Sequence, residues 1–135
     1  MKVIQGLDLH EDDFTIEKGK VRTIKRLKSY NLTFAAPKTT VTTNNPVDYD
    51  NQARHQLSVL DGMGKIHLDF KMLKDSGGAL ALFQLPSNAP PPVELIESQV
   101  HDGGTLWVNA GSRTVYGNSL KANTRYIIDL VGFFA

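Results

Sequence analysis

The chain has 135 residues, 41% of them apolar, and a formal net charge of +1, which suits one domain able to bury a core. A balance so close to neutral gives no electrostatic argument for a polyanionic partner. With no cysteine, disulfides, thiolate metal centres and cysteine nucleophiles are excluded.

The first residues, MKVIQGLDLHEDD, contain a possible short strand over Lys2–Gln5, but acids arrive too early for a signal-peptide core. No apolar run further on approaches the ~20 residues that cross a bilayer, so a soluble protein without a membrane partner is expected. Phe14–Ile24 is rich in Phe, Thr, Ile and Val, with Lys18-Gly19 where a hairpin turn would fall. A hairpin is the preferred reading. A helix over Val21–Leu27 is its rival, because Val21, Ile24 and Leu27 recur every third residue.

Residues 31–54 hold many Thr, Asn and Pro. The threonines around Val41 suit an exposed edge strand, and Asn45-Pro46 with Asp48–Asn51 marks a loop. Residues 1–54 therefore read as an N-terminal attachment segment and linker, and residues 55–135 as the main domain.

That domain is organised around Gln56–Leu85. Ile66, Leu68, Phe70 and Met72 alternate with Lys65, His67, Asp69 and Lys71, the period of a strand with one buried face. Leu57 and Val59 repeat the pattern on the near side of Asp61-Gly62-Met63-Gly64, a sequence that closes a hairpin. After Gly77-Gly78 comes Ala79–Phe83, and the three runs predict an antiparallel meander. Pro90-Pro91-Pro92 follows as an extended connection with no amide protons to donate. Strands are then expected over Val93–Val100, Thr105–Ala110, Arg113–Tyr116 and Arg125–Val131, before the chain closes on Phe133-Phe134. Short strands at roughly 8–12-residue spacing predict an all-β fold, an antiparallel sandwich or barrel. A terminus frays unless packed, so the two final aromatics point to the core or to a subunit interface.

Chemistry is sparse. His10, His55, His67 and His101 lack metal-ligand spacing and read as solvent-facing imidazoles. Asp8, Glu11, Asp12 and Asp13 form an acidic turn without the glycine-punctuated calcium-loop pattern. No G-x-S-x-G elbow or phosphate-binding glycine loop is present. Glu94, Glu97, Asp102 and Asp129 would make a glycosidase pair only if the fold brought them together. Neither an enzyme nor a cofactor is expected. Lys18, Lys20, Arg22, Lys25, Arg26 and Lys28 place six cations in a short run, but five acids among residues 1–28 offset them and base-stacking aromatics are missing. A solvated or partner-docking face is preferred there over a nucleic-acid site. Trp107 is the single tryptophan, flanked by Leu106 and Val108. Its default place is the core. The alternative is a platform for a pyranose, with Asn109, Arg113, Tyr116 and Asn118 as neighbours able to bind hydroxyls.

Four pieces of residues 57–135 form a recognisable layout: D-G-x-G-K-I-H-L-D-F at 61–70, F-Q-L-P at 83–86 before the proline loop, D-G-G-T-L-W-V at 102–108, and Y-I-I-D-L-V-G-F-F at 126–134. It resembles the C-terminal head domains of tail-fibre, baseplate and receptor-binding proteins of phages that infect Gram-positive bacteria. The resemblance implies a compact β-sandwich or jelly-roll head, built as a homotrimer and held in the virion by the N-terminal segment after assembly in the host cytoplasm. It also implies binding to a host cell-wall saccharide or teichoic acid; the candidate ligand-binding residues, Trp107, Asn109, Arg113 and Tyr116, come from side-chain chemistry and not from the resemblance. Residues 1–30 carry neither a collagen-like repeat nor a long heptad pattern. A purely structural baseplate or capsid component, joined to other virion proteins without a ligand, is therefore the alternative.

Overall fold

A computed structural model describes residues 12–17, 20–43 and 54–135. The strands are β1 (Asp12–Glu17), β2 (Lys20–Lys25), β3 (Lys28–Asn31), β4 (Thr33–Phe34), β5 (Val41–Thr42), β6 (Gln56–Leu60), β7 (Met63–Met72), β8 (Leu80–Gln84), β9 (Ile96–Gln99), β10 (Thr105–Val108), β11 (Thr114–Asn118) and β12 (Thr124–Phe133). β1 and β2 form an antiparallel hairpin with Glu17 opposite Lys20, as preferred over the helix. The readings over Lys2–Gln5, Asp8–Glu11 and Asp48–Asn51, and His10, lie outside the described residues.

The other ten strands form two antiparallel sheets. One runs β12-β7-β6-β3, with β5 also pairing β7; the other runs β4-β8-β11-β10-β9. Their inner faces share one apolar core: Leu57, Ile66, Leu68, Phe70, Tyr126 and Leu130 of the first sheet meet Leu82, Phe83, Leu106, Val108 and Val115 of the second. The rings of Phe70 and Phe83 touch edge-to-face across the gap, 5.3 Å between centroids. The all-β sandwich expected from the strand spacing is the fold.

β6 and β7 make the predicted hairpin, with Leu60 opposite Met63. Asp61 and Gly62 between them both take positive φ, 51° and 82°, the mirror-image turn that matches strand twist. The third strand of the expected meander goes elsewhere. β8 crosses to the opposite sheet, and β12 takes the place beside β7. Leu73–Ala79 does not turn back as a hairpin because it is laced to the later crossover: Ser76 exchanges bonds with Leu120, Gly77 accepts from Ser119, and Asp75 accepts from Ala122.

The stretch that reads as an exposed edge and linker also belongs partly to the sandwich. β3 pairs β6, β4 pairs β8 and β5 pairs β7. Leu32, Ala36 and Val41 are core residues, and Thr42 and Thr43 are buried. The prolines contribute acceptors in place of donors: Pro91 and Pro92 carbonyls take the amides of Ala135 and Gly111.

Candidate functional site

The register of β10 on β11 decides where Trp107 goes. Leu106 lies opposite Gly117, and Trp107 opposite Tyr116. Any side chain at 117 would run into Leu82 and Leu120, at 2.7 and 2.8 Å from a Cβ there, so the inner face is already filled. Leu106 and Val108 therefore point inward and Trp107 stands on the outer face, half-buried, which corrects the default core placement. The indole stacks on the Tyr116 ring at 5.7 Å and 21°.

Register extends this pair into a surface. Glu97 of β9 is opposite Trp107, and Ala81 of β8 opposite Tyr116. The next row on the same face holds Gln99, Thr105 and Asn118. Two stacked aromatics thus lie beside a carboxylate, two amides and a hydroxyl. Such a surface offers an apolar platform with donors and acceptors at its rim. Asn118 is where a sugar-binding neighbour was expected. Glu97, Gln99 and Thr105 were not legible as neighbours, because only the register of an edge strand brings them there.

Two expected site residues lie elsewhere. Asn109 is exposed in the turn after β10, where its carbonyl accepts the amide of Ser112. Arg113 faces the other way: its Nε donates to the Ala89 carbonyl at 2.8 Å. It lines a cleft of about 560 Å³ at one end of the sandwich, with Arg26, Lys28, Tyr30, Asp61 and Asn88.

Several other ionisable groups make bracing contacts. Arg125 grips Asp69 with two hydrogen bonds, of 2.9 and 2.8 Å, and Arg54 stands 3.6 Å away. The Arg125 bonds hold the Asp69 carboxyl below its usual range. His55 is not solvent-facing, as its sequence setting suggested. It is 1% exposed, packed against Phe34 and Phe83, and its Nε2–H donates to the Asp69 carbonyl at 2.9 Å. Burial pushes its pKa down despite that bond. His67 does lie on the outer face, where its Nδ1 bonds Asp129 at 2.7 Å.

The carboxylates weighed for glycoside hydrolysis do not converge. Asp129 is engaged with His67, Glu97 lies on the outer face of the opposite sheet, and Asp102 accepts the Tyr126 hydroxyl at 2.6 Å. That bond lowers the Asp102 pKa, while burial first and Asp102 second raise that of Tyr126. Among the described residues, no three His, Asp or Glu side chains gather around a possible metal position.

What fold and surface define is an all-β sandwich bearing a stacked Trp–Tyr pair on one outer face. No family model, curated protein or solved structure matches the chain.

Proposed function

We propose that the chain is a phage virion structural protein, a tail-fibre or baseplate component, whose sandwich binds a host cell-surface saccharide without catalysing a reaction on it. The observation that carries the reading is the Trp107–Tyr116 stack, half-buried on an outer face and rimmed by Glu97, Gln99, Thr105 and Asn118. An indole placed there spends apolar surface on solvent that the core would otherwise have used, and a pyranose face recovers it. The layout of residues 57–135 supports the phage setting. The test is adsorption of the purified chain to cell walls and wall polysaccharides of Gram-positive bacteria. Retention that depends on Trp107 supports the reading; no adsorption to any wall preparation refutes it.

A second reading, assembly within the particle without a ligand, draws on the opposite sheet. There Leu60, Met63, Phe133 and Val93 form an exposed apolar row across β6, β7, β12 and the segment after the prolines. A row of that kind suits a contact with another virion protein.

A further inference from the structure

We propose that two copies of this chain pair through β12, antiparallel and centred on Ile127, so that the β12-β7-β6-β3 sheets of both join into one. The first observation is the edge itself. Of the strands that end the two five-stranded orders, β3, β4 and β9 are four, two and four residues long, whereas β12 has ten. Proteins ordinarily blunt exposed edges by shortness, proline, bulges or lysine. β12 contains no proline or lysine and keeps an unbroken register with β7 over its whole length.

The second observation fixes which groups are on offer. The Phe134 amide bonds toward the β6–β7 turn, at Gly62, and the Phe133 carbonyl bonds away from β7, to Val93. Odd-numbered residues of β12 therefore aim their amides and carbonyls outward. For Arg125, Ile127, Asp129 and Val131, no hydrogen bond from the described residues reaches those groups. Main-chain bonds from the segment following the prolines reach this strand only at Phe133 and Phe134, and the adjoining Ile96 of β9 packs on Gly132.

Side chains then select the partner and its register. Arg125, Ile127, Asp129 and Val131 share the exposed face, with Ile127 60% exposed. An antiparallel twofold at Ile127 sets Ile127 against itself and, twice over, brings the Arg125–Asp69 pair of one copy alongside the Asp129–His67 pair of the other, so that unlike charges are neighbours without either internal bond being given up. It forms about six main-chain hydrogen bonds. A twofold at Asp129 would oppose two carboxylates and require the Phe133 carbonyl already held by Val93. A twofold at Arg125 would oppose two guanidinium groups. Registers centred on Tyr126 or Ile128 place Ile127 against a charge. Only one alignment matches apolar with apolar and cation with anion, so the strand is complementary to itself. This inference is independent of any saccharide.

Because the chain has no cysteine, position-specific crosslinking reads the geometry directly. In the proposed register two copies of Ile127→Cys face each other at about 5.5 Å between Cα atoms, within disulfide reach. Two copies of Val131→Cys would stand eight residues apart along the ribbon, roughly 27 Å. The expected result is a native mass of two chains, rapid oxidative crosslinking of Ile127→Cys, and none of Val131→Cys. Ile127→Lys should retain the far-ultraviolet spectrum and melting temperature at low concentration but give single-chain mass. A native mass of one chain at every concentration overturns the proposal. So do a mass of three chains, as in the threefold assembly the resemblance implies, and equal crosslinking at 127 and 131. If Ile127→Lys fails to fold, the two cysteine variants still decide.

Discussion

The ring of Phe134 lies where a side chain at Gly64 would be. A Cβ at 64 would overlap Cδ1 and Cε1 of that ring, so Gly64, inside β7, serves as the floor on which the chain's penultimate residue packs. The final aromatics divide: Phe134 is core, and Phe133, one residue earlier, is exposed opposite Met63. The Phe134 amide completes the anchor by bonding Gly62.

Gly64→Ala should destabilise by about 1–3 kcal/mol, because the added methyl and the Phe134 ring claim the same space and the ring must shift from its packed position. Phe134→Ala should cost about 3–5 kcal/mol. The informative measurement is the double variant, by urea unfolding. Once the ring is gone, alanine at 64 is rid of its two overlapping neighbours, Cδ1 and Cε1 of Phe134, so the two losses should combine to well below their sum. Strict additivity would show that the glycine is needed for some other reason.

Acid should weaken the fold in two stages. His55 is held below its ordinary pKa of 6.5 in the folded chain, chiefly by burial. Its contribution is complete above pH 6.5 and declines as pH falls below that, because the unfolded chain takes a proton the folded one resists. Asp69, lowered mainly by its Arg125 bonds, contributes fully above its unfolded value of 3.8, and that contribution is lost as pH falls toward the folded pKa. Melting temperature measured from pH 8 to pH 3 should therefore fall in both windows. Asp69→Asn should lower it at pH 7 and flatten the more acidic limb. An unchanged slope below pH 4 in that variant would mean the Arg125 pair contributes nothing.

Much of this scaffold is legible in the chain because it depends on local pattern. The alternation over β7 requires one wet and one dry face, and Asp61-Gly62 supplies the two positive-φ residues a tight hairpin needs. Neighbourhood is a different matter. Nothing near Ala79–Phe83 says that this strand belongs to the other sheet, since the lacing that sends it there comes from Ser119–Ala122, some forty residues later. His55 is buried by Phe34 and Phe83, each more than twenty residues away. Leu106-Trp107-Val108 offers large apolar side chains to both faces, and only the glycine opposite Leu106 breaks the tie. The candidate surface was thus half legible. Its aromatics could be named from the sequence, but its polar rim depends on strand register.

Tyr126 braces the crossover end of the sandwich. Its hydroxyl donates to Asp102 in the turn before β10 and accepts the Lys121 amide. Tyr126→Phe keeps the ring contact with Phe70 and removes both bonds, leaving the amide and carboxylate short of a partner, at about 1–3 kcal/mol. Alkali reports the same group. Its folded pKa is raised, so its contribution is full below the ordinary value of 10 and is lost as pH rises beyond it. Urea midpoints at pH 7 and at about pH 10.5 should differ more in the unaltered chain than in Tyr126→Phe.

Saccharide adsorption separates the two places where the expected site residues lie. Trp107 and Tyr116 share an outer face, whereas Arg113 is turned into the cleft beside Ala89. If ligand binds on the aromatic platform, Trp107→Ala should weaken adsorption about thirtyfold, the ~2 kcal/mol typical of a central aromatic anchor. Trp107→Phe should lose less, since a smaller ring retains part of the stacking area. Asn118→Ala should weaken binding moderately by removing a rim hydrogen bond, and Arg113→Ala should leave it unchanged. The reverse ranking, with Arg113→Ala abolishing adsorption and Trp107→Ala without effect, would move the site to the cleft, where Arg26 and Lys28 stand with Arg113 and an anionic wall polymer is the better-matched ligand. Each variant changes a half-buried or exposed side chain outside the core, so melting temperatures close to that of the unaltered chain will assign the losses to binding.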